Sequence, residues 1–232
     1  MASLPAASVV IPAAGEGLRL PGSVRKPYRS LGGRPLLIRT LEAFRGLPFV
    51  REVVLVLHPD DLEGVKRRWR GALGALKVSS IVPGGSSRTE SVCLGVLATT
   101  PASGLVLVHD AARPLVTPEE VRSVARAASR RGAAILALPC ADTVKRVAKD
   151  GSILKTLDRN ELWLAQTPQA FRRPLLVAAC RAWLEGQRAQ SPTDDAGLLE
   201  GVRKVFVVRG SGRNFKISTG EDLERARILW NR

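Results

Sequence analysis

Short apolar runs alternate with stretches of helical spacing along the first 138 residues of the chain. The apolar runs predict strands at 9–11, 53–57, 77–82, 105–108 and 134–138. Helices are predicted between them at 35–44, 60–69, 87–98 and 117–131; in the first, Leu37, Leu41 and Phe44 recur at helical spacing. Undivided apolar strands that alternate with helices favour an α/β fold, with a mostly parallel sheet covered by helices on both faces.

Two of the helix starts carry specific signals. Asp60 is predicted to cap the helix that follows the second strand. Thr117, Pro118 and Glu120 have the spacing of a capping box, in which the threonine and glutamate side chains satisfy amide groups of the first helical turn.

The pattern changes after residue 140. Strand-like runs at 142–147 and 153–157 flank Asp150-Gly151, a strong hairpin signal. Because a lone hairpin is barely stable, we expect residues 141–160 to form an arm that packs against other structure, such as a second subunit.

The remaining predictions are strands at 162–167 and 205–208, an extended piece at 214–217, and helices at 173–185, 194–200 and 219–229. No linker divides residues 1–232, so a single domain with a projecting arm is predicted.

The loop after the first strand combines small residues with two cations. Its notable residues are Pro12, Ala13, Ala14, Gly15, Gly17, Arg19 and Lys26. Small residues let a ligand approach backbone N–H groups that can cradle an anion, and the cations suit a polyphosphate. Leu20 stands where a dinucleotide fingerprint needs its third glycine, and the chain has no Gly-Lys pair for a Walker A loop. The stretch is therefore a phosphate-binding loop of another class or an ordinary strand-to-helix connection.

Two further clusters follow strand ends. Residues 84–88 follow the third strand, and residues 109–113 follow the fourth. Ligands of open parallel sheets bind outside the carboxyl ends of the strands. We therefore expect these clusters to share one crevice with the loop at 12–26.

Within these clusters, Asp110 is either a carboxylate bridged to phosphates by a metal ion or hydroxyl, or a local turn cap. His109 is predicted to be a packing residue and His58 a surface residue at a strand end. The position of Arg113 favours contact with an anion. Lys216 and Arg159, taken alone, are typical of surface charges.

Composition narrows the class of protein. The formal net charge of +15 favours an acidic partner, either a phosphorylated substrate or nucleic acid. Aromatic residues make up 4% of the chain and no nucleic-acid motif occurs, which weakens the nucleic-acid alternative.

The three scattered cysteines indicate buried thiols in a reducing compartment. With no apolar run of about 18 residues and no signal-peptide pattern, we expect a cytoplasmic protein without membrane contact.

Several motifs together resemble the 2-C-methyl-D-erythritol 4-phosphate cytidylyltransferase family, which acts in non-mevalonate isoprenoid synthesis. They occur in the family's order along nearly the whole chain. They are P-A-A-G-x-G at 12–17, K-P-Y at 26–28, P-G-G-S-S-R-T-E-S-V at 83–92, V-H-D-A-A-R-P at 108–114, D-T-V-K at 142–145, D-R-N at 158–160, T-P-Q at 167–169 and N-F-K at 214–216. Pro27 departs from the family, which usually has a polar residue there.

The resemblance implies a three-layer, Rossmann-like fold of the nucleotidyltransferase type and the transfer of CMP from CTP to the sugar phosphate, with Mg²⁺ as cofactor. Its catalytic residues would be Arg19, Lys26, Arg159 and Lys216. The nucleotide site would contain Pro12, Ala13, Ala14, Gly15, Gly17, Gly85, Ser91 and Asp110. The acceptor site would contain Asp110, Ala111, Arg113, Thr143, Arg159, Thr167 and Lys216, and Asp110 is the candidate metal ligand.

The resemblance also implies a homodimer in which the arm carries Arg159 into the partner's active site. Two alternatives remain open. One is the same chemistry on another polyol phosphate such as ribitol 5-phosphate, and the other, motivated by the net charge, is a nucleic-acid-binding module.

Overall fold

A computed structural model describes residues 3–15, 24–187 and 192–230 of the chain. Its strands are β1 (Ala7–Ala13), β2 (Ser30–Leu31), β3 (Arg34–Pro35), β4 (Val50–Leu57), β5 (Val78–Pro83), β6 (Leu105–Val108), β7 (Ala133–Pro139), β8 (Lys145–Val147), β9 (Ile153–Thr156), β10 (Trp163–Arg172) and β11 (Phe206–Arg209). Within the described residues, seven of these strands form one sheet in the order β11-β7-β10-β6-β1-β4-β5. The helices are α1 (Leu36–Arg45), α2 (Leu62–Ala75), α3 (Arg88–Leu97), α4 (Pro118–Arg131), α5 (Arg173–Leu184) and α6 (Gly220–Trp230).

The sheet is parallel except at one strand, so the predicted α/β class is confirmed. β1 pairs in parallel with β4 and β6, whereas β10 runs antiparallel between β6 and β7. The predicted strand at 162–167 is therefore too short: β10 continues past Pro168 to Arg172. The β10–β7 register shifts between Ala165 and Gln169, and such an irregularity is where a strand tolerates proline.

Side chains alternate between two cores on the two faces of the sheet. Val9 and Ile11 of β1 pack in the core that contains residues of α1, α2 and α4, and Val10 packs in the core of α3 and α5. This two-sided burial explains the undivided apolar runs of the sequence. Cys93 and Cys180 are buried in the second core as expected, whereas Cys140 is only half-buried.

Two local predictions are wrong. Residues 194–200 were expected to form a helix, but only a 3₁₀ turn at Ala196–Leu198 forms. The carboxylates of Asp194 and Asp195 instead bond side chains of other elements. Asp60 lies in a 3₁₀ turn, Pro59–Asp61, before α2, and its carboxylate pairs with Arg25 rather than capping the helix.

Other local predictions are confirmed. The Thr117 hydroxyl accepts the amide N–H of Glu120 at 3.2 Å, and the Glu120 carboxylate accepts the amide N–H of Thr117 at 2.8 Å, completing the capping box. The arm contains the predicted hairpin, with β8 antiparallel to β9. Its apolar side chains Val147, Ile153 and Leu154 are exposed. Among the described residues, none of the helices has the length and apolar character needed to cross a membrane.

Gly95 lets α3 lie directly on the sheet. A Cβ atom there would lie 2.6 Å from Val10 Cγ1 and 2.7 Å from Val56 Cγ2. We expect Gly95→Ala to lower the free energy of unfolding by about 1–3 kcal/mol, because overpacking outweighs the gain in helix propensity. Urea denaturation measures it. The matched control is Gly64→Ala in α2, where nothing lies within 4 Å of an added Cβ atom; it should stabilise the protein by about 0.5–1 kcal/mol. A stabilised Gly95→Ala protein would contradict this account.

Candidate active site

One crevice lies at the carboxyl edge of the parallel strands. It has a volume of about 710 Å³ and is formed by the ends of β1, β4, β5 and β6 together with residue 216. The residues that line it are Pro12, Ala13, Ala14, Gly15, Lys26, Pro27, His58, Gly85, Ser86, Ser87, Arg88, Ser91, Asp110, Ala111, Ala112 and Lys216. The expected meeting of the three loops is therefore observed for their described residues. Gly17 and Arg19 lie outside the described residues.

Glycines let the loop after β5 come close to the end of β1. A Cβ atom on Gly84 would overlap with Ala14, and one on Gly85 would overlap with Glu90. The Gly85 amide N–H donates to Ser91 Oγ at 3.1 Å, which fixes the loop to α3. Backbone therefore lines this side of the crevice, as a site that must approach phosphates or a base requires.

Asp110 is the electrostatic centre of the crevice. Its Oδ1 lies 3.2 Å from Arg88 Nη2, and its Oδ2 lies 2.9 Å from Lys216 Nζ and 3.5 Å from Arg113 Nε. Burial by itself would raise the pKa of the Asp110 carboxyl, but attraction to Arg88, Lys216 and Arg113 outweighs it and holds that pKa well below its usual range. The carboxylate is therefore ionised at neutral pH.

Arg88 links Asp110 to a second buried carboxylate. Asp195 is 1% exposed, and its two oxygens accept bonds of 2.8 and 3.0 Å from the Arg88 guanidinium. Burial raises the pKa of Asp195 although Arg88 opposes the shift. Sequence reasoning missed Asp195, because a loop aspartate far along the chain carries no local sign of its partner.

His109 is buried beneath Asp110. Its Nε2 lies 3.0 Å from the Arg113 carbonyl oxygen, and its Nδ1 lies 3.0 Å from Thr167 Oγ1. Since a carbonyl only accepts, Nε2 carries the proton, and the Thr167 hydroxyl donates to Nδ1. Thr167 Oγ1 in turn accepts the amide N–H of Asp110 at 3.0 Å. The ring also packs edge-on against Phe44, so the predicted packing role of His109 is confirmed.

The 214–216 segment places Lys216. Asn214 Nδ2 donates to the Thr167 carbonyl oxygen at 2.8 Å, and the Asn214 carbonyl oxygen accepts from Arg113 Nη1 at 2.6 Å. Gln166 also donates to that oxygen. These bonds hold the segment against β10 and the end of β6, so Lys216 reaches Asp110 from across the sheet edge.

Two expected site residues lie on the arm, and one expected surface residue lines the crevice. Thr143 and Arg159 are exposed on the arm and do not line this chain's crevice; Arg159 donates to the Ala141 carbonyl oxygen at 2.9 Å. His58, expected as a surface residue, lines the crevice because β4 ends beside β1. The strand order that brings it there was not in the sequence pattern.

A divalent cation fits this donor set in a limited way. Within the described parts of the chain, no group of three or more His, Cys, Asp and Glu side chains could hold a metal ion. Mg²⁺ commonly binds through one or two carboxylates together with substrate phosphates. The single carboxylate of Asp110 is enough for such a site when substrate phosphates supply the other ligands.

Fold and crevice together define a nucleotidyltransferase-type enzyme: backbone-lined loops, cations and a buried carboxylate, that of Asp110, lie at the carboxyl edge of a mostly parallel sheet. The family model of 2-C-methyl-D-erythritol 4-phosphate cytidylyltransferase matches residues 7–232, and the chain belongs to this family. The nucleic-acid-module alternative is therefore set aside.

Individual relatives agree. The chain is 45% identical over 223 residues to the 2-C-methyl-D-erythritol 4-phosphate cytidylyltransferase of Pelotomaculum thermopropionicum, covering 96% of this chain and 93% of that protein. The structure of 4-diphosphocytidyl-2C-methyl-D-erythritol synthase from Anaerococcus prevotii superposes with a TM-score of 0.84 at 33% identity, covering 98% and 97%. The structure of the Thermus thermophilus 2-C-methyl-D-erythritol 4-phosphate cytidylyltransferase superposes with a TM-score of 0.78 at 34% sequence identity. The match covers 97% of this chain and 98% of that chain.

His109 makes stability depend on pH. Burial lowers its pKa to about 4, from about 6.5 in an unfolded chain. Above pH 6.5 the ring is neutral in both states; below it, only the unfolded chain gains a proton. The folded protein should therefore lose about 3 kcal/mol between pH 6.5 and 4 through this residue.

Urea unfolding of the wild type and His109→Gln across this range measures the effect. The stability of the wild type should fall relative to the variant as the pH is lowered. As a second readout, the NMR signal of the buried ring should stay in its neutral form down to about pH 5. A difference between the two proteins that stays constant from pH 7 to 4 would contradict the assignment.

Proposed function

We propose that this chain transfers the CMP group of CTP to 2-C-methyl-D-erythritol 4-phosphate and releases pyrophosphate. The observation that carries the proposal is the meeting of three sequence-distant loops in one cation-rich, backbone-lined crevice, in a chain that belongs to this enzyme family. An acceptor phosphate oxygen attacks the α-phosphorus of CTP. The bond between that phosphorus and the oxygen bridging to the β-phosphate breaks, and pyrophosphate leaves with the electron pair.

Positioning and charge stabilisation carry this reaction, since a phosphate monoester is already an anionic nucleophile. We assign the nucleotide to Pro12, Ala13, Ala14, Gly15, Gly17, Gly85, Ser91 and Asp110. Lys26 and Arg19 stabilise the charge that develops on the triphosphate. Asp110 would hold Mg²⁺, which would supply further neutralisation of the phosphates.

The acceptor phosphate is assigned to the cations beside Asp110. Lys216 is one-third exposed and lines the crevice, so its ammonium can reach a ligand while it pairs with Asp110. Arg113 is mostly buried and contacts the same carboxylate. Ala111 also lines the crevice, and the Thr167 hydroxyl bonds His109 and the Asp110 amide.

We assign Thr143 and Arg159 to the active site of a second subunit. Both are exposed on the arm, and neither lines the crevice of its own chain. The arm and the start of β10 expose Val147, Ile153, Leu154, Trp163 and Leu164. A contiguous segment with this many exposed apolar side chains suits burial against another copy of the chain.

A pyrophosphate-release assay with CTP, Mg²⁺ and a panel of polyol phosphates tests the function. Release with 2-C-methyl-D-erythritol 4-phosphate, and its loss with EDTA, supports the proposal. Release only with ribitol 5-phosphate would assign the same chemistry to another acceptor. No release with any acceptor would overturn the proposal.

Lys26→Ala and Arg19→Ala should each lower kcat by about 10²–10³-fold, because each removes a charge that stabilises the transition state. The free energy of unfolding should change by less than about 1 kcal/mol. Steady-state pyrophosphate release and urea denaturation measure the two effects. Lys66→Ala is the matched control: this exposed lysine pairs with Glu63 on α2 and does not line the crevice. Near-normal turnover of Lys26→Ala would refute its role.

Subunit mixing tests the exchange of the arm. Lys26→Ala and Arg159→Ala subunits, each nearly inactive alone, should regain about a quarter of wild-type activity after 1:1 mixing. Half of the dimers are then mixed, and each has one intact site. Mixing Lys26→Ala with Lys216→Ala should restore nothing, because both residues line the crevice of one chain. No rescue in the first mixture would show that each site is built within one chain.

A further inference from the structure

A short turn carries Lys26, and little within the turn itself fixes its position. Lys26–Tyr28 form a single 3₁₀ turn in which Tyr28 N–H bonds the Arg25 carbonyl oxygen at 3.0 Å and Arg29 N–H bonds the Lys26 carbonyl oxygen at 3.2 Å. Lys26 and Pro27 line the crevice, whereas Arg25 and Tyr28 do not. A turn of this length is not stable alone, so other contacts must hold it.

One carboxylate bonds the residues on both sides of the Lys26-Pro27 pair. The Tyr28 hydroxyl donates to Asp61 Oδ2 at 2.8 Å, and Arg25 Nη1 donates to Asp61 Oδ1 at 2.6 Å. We call these three residues, Arg25, Tyr28 and Asp61, the Asp61 latch. Arg25 Nη2 also lies 3.3 Å from Asp60 Oδ2.

The latch also contacts the residue that follows β4 and a side chain of α2. The Asp61 amide N–H donates to the His58 carbonyl oxygen at 2.9 Å, and His58 directly follows β4. The Tyr28 ring packs 5.5 Å, centre to centre, from the ring of Trp69 in α2. Through these contacts, the latch ties the Lys26 turn to the end of β4 and to α2.

The bonds of the latch lie in a partly buried setting. The Asp61 side chain is 18% exposed, and Tyr28 is half-buried. Hydrogen bonds to a charged group are stronger than neutral ones, and partial burial protects them from the screening that weakens surface ion pairs. Burial and the bond to Asp61 raise the pKa of Tyr28, so its hydroxyl remains a donor at neutral pH.

We propose that Tyr28 and Asp61 are positioning residues that hold the Lys26 ammonium where charge develops in the transition state. The inference rests on the proposed function, in which Lys26 acts on the triphosphate. It explains why the Lys26-Pro27 pair lies between an arginine and a tyrosine that both bond one carboxylate outside the crevice lining. Displacement of a catalytic group by about 1 Å can cost about 10²-fold in rate.

Tyr28→Phe and Asp61→Asn test the latch with minimal change of shape. Tyr28→Phe keeps the ring on Trp69 and removes only the hydroxyl. Each variant should lower kcat about tenfold and leave KM for the acceptor within about twofold, because Lys26 is assigned to the transition state. Glu224→Gln, which breaks the exposed ion pair with Arg227 on α6, is the matched control and should leave kcat unchanged.

A double-mutant cycle separates positioning from general stabilisation. In a Lys26→Ala background, Tyr28→Phe should lower kcat by less than about twofold, since the group that it positions is gone. A further tenfold loss in that background, or normal kcat for both single variants in an active wild type, would overturn the proposal.

A readout without turnover keeps the latch testable if the wild type releases no pyrophosphate. Amide hydrogen exchange of Tyr28 and Arg29, whose N–H groups make the hydrogen bonds of the turn, should be faster in Tyr28→Phe than in the wild type, because the turn opens more often. Unchanged exchange at these amides would show that the latch does not hold the turn in place and would overturn the proposal. If the wild type is inactive but exchange is faster in the variant, the proposed function is refuted, whereas the role of the latch in holding the turn is supported.

Discussion

The ion cluster around Asp110 is the constraint on which the active site depends. Three cations, Arg88, Arg113 and Lys216, surround the buried carboxylate of Asp110. Arg88 is also paired with the buried carboxylate of Asp195. An unpaired charge at this depth would be prohibitive, so each member fixes the others. The cluster joins α3, the end of β6, the 192–199 loop and the 214–216 segment. It thereby holds the crevice together where the sheet ends.

The same constraint prepares the crevice for anions. Three cations against two carboxylates leave one net positive charge in the cluster, and Lys26 adds another to the lining of the crevice. The cations are already oriented by carboxylates before any phosphate binds. Preorganised charges stabilise a transition state with little reorganisation, which is the main demand of phosphoryl transfer.

Sequence reasoning predicted much of the fold, because undivided apolar strands and the capping box are local signals. It also placed three loops at one edge, since parallel strands end together. The antiparallel strand β10, the ion pair between Arg88 and Asp195 and the place of His58 could not be predicted. The first and the third depend on strand order, and the ion pair joins residues 107 positions apart. The helix expected at 194–200 failed for the same reason, because long-range bonds of its carboxylates decide its conformation.

The two histidines explain how such a site can favour a phosphate acceptor over water. His109 is buried and neutral, and its accepting nitrogen is occupied by the Thr167 hydroxyl. His58 lines the crevice, and its Nδ1 accepts the amide N–H of Asp60 at 3.3 Å. The Nδ1 atoms of both rings are thus engaged within the protein and are not free to remove a proton from water. A nucleophile that arrives as an anion needs no such base, and water does. The arrangement therefore favours transfer over hydrolysis of the nucleotide through the chemistry of the acceptor itself.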